Sequence, residues 1–257
     1  MKVLAIILLV YFALSAYLFF AQRSFLYFPT PKTQHPYPEE SYTFKEATVR
    51  VIVLNEGKPD ALLYFGGNAE AVEHNASAFI KHFPNHTIYL VQYRGYGSST
   101  GKPTEVNLYA DSLAVFDRIK QRHGNVSVIG RSLGSAVATF LAAQKSVHRV
   151  ILITPFDSIE AIAQKTFPFF PVSLLLQDKY TALKFAPNIQ VKTLLLVAEN
   201  DQIVKAVHTK KLAQAFKAGV VSTLTIPESS HNSLSYHPRY YPAMRDFIYA
   251  SNEKMSQ

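Results

Sequence analysis

A serine between two glycines is the first residue of this chain that could do covalent chemistry. In the segment VSVIGRSLGSAVATFLAA, Ser132 is the centre of a Gly-x-Ser-x-Gly pattern formed with Gly130 and Gly134. The apolar residues before it predict a strand and the Ala-rich residues after it predict a helix, so the serine falls on a sharp turn that exposes its hydroxyl. A serine that merely caps the helix is the alternative. We interpret Ser132 as a nucleophile, which requires a base and an orienting acid.

The acid should follow the serine in the chain, at the end of another buried strand. The segment LLLVAENDQIV has an apolar run that leads into Asp201, which we predict to be the acid. Asp201 could also cap the following helix, and capping does not exclude catalysis. Asp157 and then Glu199 are the alternative acids.

The base should come last, and His231 has the expected position. It follows the final predicted strand in the polar segment TLTIPESSHNSL. From this loop an imidazole can reach both the serine and the acid. We interpret His208, in a Lys-rich helix, and His237, before Pro238, as surface residues.

Acyl transfer also needs hydrogen-bond donors for the oxyanion that develops in the transition state. The segment ALLYFGGNAE ends a predicted strand with two glycines, where the backbone can turn close to the serine. The main-chain amides of Asn68 and Leu133 are therefore the predicted oxyanion-hole donors. A simple glycine turn is the alternative interpretation.

These segments together resemble the α/β-hydrolase superfamily, and within it the membrane-anchored serine hydrolases of the α/β-hydrolase-domain-containing type. The resemblance covers residues 24–250 and depends on FGGNAE, YRGYGSSTGKPTE, GRSLGS, PFDSI, AENDQIV and SSHNS. It implies that Tyr93, Arg94 and Tyr96 contact the substrate. The chain departs from the family pattern at Gly66, where a histidine is usual, and at Ala198, where a glycine is usual.

Short β-branched or aromatic runs alternate with longer helical stretches from residue 42 onward. This order predicts the α/β-hydrolase fold, with a mainly parallel central sheet and helices on both faces. Candidate strands cover residues 48–54, 61–65, 87–93, 126–130, 149–154, 193–199 and 221–226, and candidate helices cover 70–82, 105–121, 133–145, 204–217 and 240–252.

The longest irregular stretch, residues 155–190, contains TFPFFPVSLLL. We predict that it forms a small cap, in which Phe167, Phe169 and Phe170 shape an acyl pocket and Phe169 contacts substrate. A surface segment that packs on the core is an equal alternative.

The amino-terminal residues 3–21 carry no charge, Gly or Pro. A helix of this length reaches roughly 28 Å, enough to cross the hydrocarbon core of a membrane. We predict an anchor over residues 1–23, a linker over 24–41 and a hydrolase domain over 42–257. A cleaved signal peptide is the alternative, although its apolar run is usually shorter. The numbers of positive charges before and after the span are nearly equal. We expect the domain on the non-cytoplasmic side because the free amine and Lys2 precede the span.

The composition, motifs and charge of the chain argue against several classes of function. The chain has no Cys, and it lacks the motifs for zinc, dinucleotide or nucleoside triphosphate binding, so we expect no metal and no cofactor. The net charge of +8 is scattered, which argues against nucleic acid as a partner.

The predicted function is a membrane-anchored serine hydrolase that cleaves ester or thioester bonds of a small or lipid-like acyl substrate. A serine peptidase or amidase and a catalytically silent scaffold remain alternatives, and the sequence does not indicate an oligomeric state.

Overall fold

A computed structural model describes residues 1–250 of the chain. The last residues of the expected domain and of the predicted final helix therefore lie outside the described residues. The strands are β1 (Glu39–Thr43), β2 (Thr48–Leu54), β3 (Asp60–Phe65), β4 (His86–Gln92), β5 (Val126–Arg131), β6 (Val150–Ile153), β7 (Thr193–Ala198) and β8 (Val221–Ile226). The α-helices are α1 (Lys2–Leu26), α2 (Ala76–His82), α3 (Glu105–Lys120), α4 (Leu133–Gln144), α5 (Ile159–Thr166), α6 (Val172–Leu175), α7 (Ala182–Phe185), α8 (Ala206–Ala215) and α9 (Tyr240–Tyr249).

The strands form one eight-stranded sheet in the order β1-β2-β4-β3-β5-β6-β7-β8. Strands β4, β3 and β5 to β8 are parallel neighbours, and the β1–β2 and β2–β4 pairs are antiparallel. This confirms the predicted mainly parallel sheet. Strand β1 was not predicted, because its sequence EESYT is polar and only one of its five residues is buried at the sheet edge.

Helices cover both faces of the sheet, as predicted. Buried residues of α3, α4, α7 and α8 pack with one set of strand side chains. Residues of α2 and α9 pack with the alternate set on the opposite face. The parallel strands therefore have apolar side chains on both faces, and their carboxyl ends share one edge.

Helix α1 is long and apolar enough to span a membrane, and none of its residues is buried within the chain. It continues to Leu26, three residues past the expected end of the anchor at residue 23. The expected linker, in turn, already contains the start of β1 at Glu39. Between them, Tyr27 is buried in the domain core, so this connection is attached to the domain from its first residue.

The stretch 155–190 contains the short helices α5, α6 and α7. We refer to residues 159–178, which include α5 and α6, as the cap. The cap lies beside α1, whereas α7 packs on α4 in the domain core. Proline at 168 and 171 and runs of aromatic residues hid these short helices from periodicity analysis.

Candidate active site

Ser132 lies at the sharp turn between β5 and α4. Its φ is +48°, a strained conformation for a residue with a side chain. The turn is possible because glycines flank it: a Cβ on Gly134 would overlap the main-chain oxygens of Phe65 and Gly66, and a Cβ on Gly130 would overlap Gly134. The strained turn therefore holds the serine at the carboxyl edge of the sheet, at the amino-terminal end of α4.

His231 connects Ser132 to Asp201. The Oγ of Ser132 lies 3.0 Å from Nε2 of His231, and Nδ1 of His231 lies 2.8 Å from Oδ2 of Asp201. With the imidazole proton on Nδ1, the ring donates to Asp201 and accepts the serine proton on Nε2. Both side chains of the His231–Asp201 pair are almost completely buried. The structure thus brings the three predicted residues into one hydrogen-bonded chain.

Asp201 is fixed by the backbone as well as by the histidine. Its Oδ1 accepts hydrogen bonds from the amides of Ile203 (2.9 Å) and Val204 (2.7 Å), while Oδ2 faces His231. The alternative acids point elsewhere: Asp157 pairs with His208, and Glu199 accepts from the amide of Glu228. Of the three candidate acids, Asp201 is the one in contact with the histidine.

The interpretation of His208 as a surface residue was wrong. Its ring is buried, and Nδ1 lies 2.8 Å from Oδ1 of Asp157. The amide of Ser158 donates to the same carboxylate oxygen, and the carbonyl of Asp157 accepts from Leu183. This cluster joins α8 to the segment that follows β6. A helix rich in lysine concealed it, since two of the three buried residues of α8, His208 and Thr209, are themselves polar.

The oxyanion loop, residues 66–70, lies directly against the serine turn. A Cβ placed on Gly67 would lie 3.7 Å from the Cβ of Ser132. Within residues 1–250, the main-chain amides of Asn68 and Leu133 donate to no other protein group. Two free N–H groups beside a nucleophile are suited to an oxyanion, because donors that already have partners could not serve.

The domain matches the model of the α/β hydrolase fold over residues 50–175. The chain belongs to the α/β-hydrolase superfamily. An uncharacterised protein of Mycobacterium tuberculosis is 28% identical to this hydrolase over 251 residues, covering 90% of the chain and 88% of the relative. The human α/β hydrolase domain-containing protein 17B is 28% identical over 197 residues, covering 73% of the chain and 65% of the human protein.

Solved structures share the fold of this hydrolase at low sequence identity. An esterase from Pyrococcus furiosus superposes with a TM-score of 0.66 and 15% identity, covering 86% of the chain and 98% of the esterase. A hydrolase from Pseudomonas aeruginosa gives a TM-score of 0.66 and 17% identity, covering 84% and 100%.

The hydroxyl groups of Tyr93 and Tyr96 form hydrogen bonds to the oxyanion loop. Tyr93 donates to the carbonyl of Gly66 (2.8 Å), and Tyr96 donates to Oδ1 of Asn68 (2.7 Å). Burial raises the pKa of Tyr96 to about 12, so its phenol remains protonated and able to donate. These tyrosines were predicted to contact substrate, but their hydroxyls contact the loop instead.

Arg94 does not fit the predicted role in substrate binding. Its guanidinium forms a buried bidentate pair with Asp111 of α3, at 2.8 and 2.7 Å. It does not line the cavity at Ser132. The resemblance identified the correct segment, but alternate residues of a chain point in different directions.

Glu70 was not identified from the sequence, although it organises the oxyanion loop. Its Oε2 accepts from the amide of Gly67 (2.6 Å), and its Oε1 accepts from Tyr64 (2.5 Å) and Asn75 (2.7 Å). Arg131 lies 3.3 Å from the same Oε2 and donates to the carbonyl of His231. One carboxylate thereby connects the oxyanion loop, through Arg131, to the histidine loop. No local pattern identified Glu70, because its partners Tyr64, Asn75 and Arg131 come from other segments of the chain.

A polar cavity of about 500 Å³ opens at Ser132 and His231, between the oxyanion loop and residues 232–241. A second, apolar cavity of about 160 Å³ lies between α1 and the cap. Leu26 lies between the two cavities. It lines the apolar cavity, and its carbonyl accepts a hydrogen bond from Nδ2 of Asn68 (2.6 Å), which lines the polar cavity.

The cap residues divide between the apolar cavity and the exterior. Phe167 and Phe170 line the apolar cavity, whereas Phe169 is 85% exposed and lines neither cavity. The predicted substrate contact of Phe169 is therefore not supported. Across residues 1–250, no three His, Asp or Glu side chains come together in a way that could hold a metal ion.

Proposed function

We propose that this protein is a membrane-anchored serine hydrolase that cleaves carboxylic ester or thioester bonds through an acyl-enzyme intermediate. The observation that carries the proposal is the chain of hydrogen-bond distances from Ser132 through His231 to Asp201 at a strained strand-to-helix turn. A serine in this setting can lose its proton to the imidazole as it attacks.

The reaction follows from the roles of the site residues. Oγ of Ser132 attacks the acyl carbon while Nε2 of His231 takes its proton. The amides of Asn68 and Leu133 stabilise the oxyanion of the tetrahedral intermediate. The intermediate collapses, His231 returns the proton to the leaving group, and the acyl chain remains on Ser132. Water, activated by the same histidine, then releases the carboxylic acid and restores the serine.

The apolar cavity supports an acyl chain as the fixed part of the substrate. Leu26 lines it and accepts a hydrogen bond from Asn68 of the oxyanion loop, so the cavity adjoins the residues that hold the loop. The leaving group would occupy the polar cavity. The similar human protein and the esterase from Pyrococcus furiosus carry hydrolase and esterase names, which agree with this class.

Anchoring by residues 3–21, with the domain on the non-cytoplasmic side, is part of the same proposal. The span is supported by the length of α1, by the lack of charge in residues 3–21 and by the absence of buried residues along the helix.

A fluorophosphonate probe tests the enzymatic part directly. Such probes form a covalent bond with an activated serine, so the purified full-length chain should be labelled and the Ser132→Ala variant should not. If the wild type and Ser132→Ala were labelled equally, or if neither were labelled, the protein would be better described as a catalytically silent scaffold. Matched ester and amide substrates of one acyl group then separate an esterase from an amidase.

A further inference from the structure

The cap packs along the side of α1. Near the middle of α1, the ring of Tyr11 stacks on Phe170 with centroids 5.5 Å apart and planes at 5°. The hydroxyl of Tyr11 donates to the carbonyl of Phe169 at 3.1 Å. The polar end of Tyr11 is thereby satisfied by the cap.

The other end of the contact lies near the carboxyl end of α1. Gln22 donates through Nε2 to the carbonyl of Leu175 (3.0 Å) and accepts through Oε1 from the amide of Gln177 (2.7 Å). One residue further on, Nε of Arg23 lies 2.8 Å from Oδ2 of Asp178. The cap is thus attached to α1 from Tyr11 to Arg23.

This attachment determines how deep the cap would lie. From residue 11 to residue 23, a helix rises about 18 Å. Half of a hydrocarbon core is about 15 Å thick. If residues 3–21 cross the membrane and Arg23 marks its surface, Tyr11 lies near the centre of the bilayer. The cap between Tyr11 and Arg23 then lies within one leaflet and not in water.

The composition of the cap fits that environment. Residues 166–177 contain no Asp, Glu, Lys or Arg, and the first charges on either side are Lys165 and Asp178. Phe169 and Leu174 are 85% and 80% exposed, which is costly in water and favourable in hydrocarbon.

The backbone of the cap is also compatible with lipid, where unpaired polar groups are expensive. The amides of Leu174 and Leu175 donate to the carbonyl of Pro171, and the amide of Leu176 donates to Val172. The carbonyl of Phe169 accepts a hydrogen bond from the hydroxyl of Tyr11. Two prolines in this stretch remove two further amide donors.

We propose that the outer part of the cap, residues 166–177, is immersed in one leaflet of the membrane beside α1. This inference rests on the proposed span of α1. Its consequence is that the apolar cavity between α1 and the cap lies within the hydrocarbon region. An acyl chain can then enter this cavity sideways from the bilayer without crossing water.

Fluorescent labels at single cysteines test the depth, because the natural chain contains no Cys. Phe169→Cys and Leu174→Cys are prepared in the full-length chain, labelled with bimane and reconstituted in phosphatidylcholine vesicles. Two positions serve as references: Phe12→Cys on the exposed side of α1 for hydrocarbon, and Lys217→Cys on the exposed domain surface for water. Quenching by lipids brominated in their acyl chains is compared with quenching by aqueous iodide.

We expect the labels at 169 and 174 to be quenched by brominated lipid as strongly as the label at 12, and several-fold less by iodide than the label at 217. Labels at 169 and 174 that behave like the label at 217, with the label at 12 in lipid, would overturn the immersed cap and leave the span intact. A label at 12 in water would overturn both. Fluorophosphonate labelling of Ser132 in each variant reports folding and catalysis separately from depth.

Discussion

At the scale of single residues, the proposed mechanism distinguishes groups that touch the reacting atoms from groups that hold those groups in place. Ser132, His231 and the two free amides belong to the first class. Glu70 and Tyr96 belong to the second, since their hydrogen bonds end on the oxyanion loop. The two classes should respond differently to substitution, because loss of a reacting group removes a step whereas loss of support misplaces a donor.

The catalytic residues should show the hierarchy expected of a serine hydrolase. Ser132→Ala and His231→Ala should each abolish hydrolysis of short p-nitrophenyl esters, and Asp201→Asn should lower turnover by about 10⁴-fold without unfolding the chain, because the imidazole loses its orienting acceptor. Steady-state kinetics with circular dichroism as a folding control measure both.

Asp157→Asn is the matched control, since Asp157 also pairs with a buried histidine. It should retain turnover and lose about 2 kcal/mol of unfolding free energy, as a buried polar pair is weakened. Near-normal activity of Asp201→Asn together with loss of activity in Asp157→Asn would move the acid role to Asp157.

Glu70 should act as a positioning residue. Glu70→Gln replaces one acceptor oxygen by an NH₂ group that faces existing donors, which should displace Gly67 and with it the amide of Asn68. We expect kcat to fall by about 10- to 100-fold while KM changes little, because the oxyanion exists only in the transition state.

Glu199→Gln provides the comparison for Glu70, because Glu199 lies at the end of β7, is exposed and accepts from a single amide. Its kinetics should match the wild type. An increase in KM alone for Glu70→Gln would instead indicate that Glu70 acts on substrate binding.

At the scale of elements, the end of α1 and the oxyanion loop form one unit. Oδ1 of Asn68 accepts from the amide of Phe28 (3.0 Å) while Nδ2 donates to the carbonyl of Leu26 (2.6 Å). This carbonyl is one of the unpaired groups at the end of α1, so a single side chain caps the helix and fixes the loop. Helix α1 is therefore part of the support of the candidate active site.

The apolar cavity between α1 and the cap should select acyl chain length. Phe167→Ala together with Phe170→Ala enlarges the cavity and removes a rigid wall, so the preference among C2 to C12 esters should change in detergent solution. Phe169→Ala is the matched control, because Phe169 lines neither cavity and its loss should leave the preference as it is. An unchanged preference in the double variant would show that the cap wall does not bind the acyl chain.

The elements also show how far the sequence could be interpreted. The seven predicted strands and the triad followed from local signals: apolar runs on both faces of a parallel sheet, and polar loops at their carboxyl ends. Strand β1 was missed because an edge strand needs little apolar sequence. Arg94 was assigned to the site because a motif gives a segment but not the direction of each side chain. Phe169 was assigned because aromatic residues between prolines predict an apolar wall but not which ring faces it. Glu70 and the contact between Asn68 and Leu26 depend on residues that are close only after folding.

At the scale of the whole molecule, side-chain contacts tie the end of α1 to the domain. Tyr27 follows α1 directly, is buried in the domain core and hydrogen-bonds Tyr180 at 2.8 Å. Arg23 is paired with Asp178. With α1 as the proposed membrane anchor, these contacts would limit the height and tilt of the domain relative to the membrane, unlike a flexible linker.

The pairing of Arg23 also bears on membrane orientation. Lys2 precedes the span, while the charge of Arg23 after it is compensated by Asp178, so the nearest uncompensated positive charge lies on the amino-terminal side of the span. We expect a single-pass protein with its domain on the non-cytoplasmic side. Protease added to spheroplasts should digest the domain while the inner membrane is intact, and the amino-terminal segment should be retained. Digestion only after the membrane is broken would place the domain inside, where the excess positive charge of the chain (+8 in all) could hold it against an anionic leaflet. A mature chain that begins after residues 16–21 would identify a secreted enzyme instead.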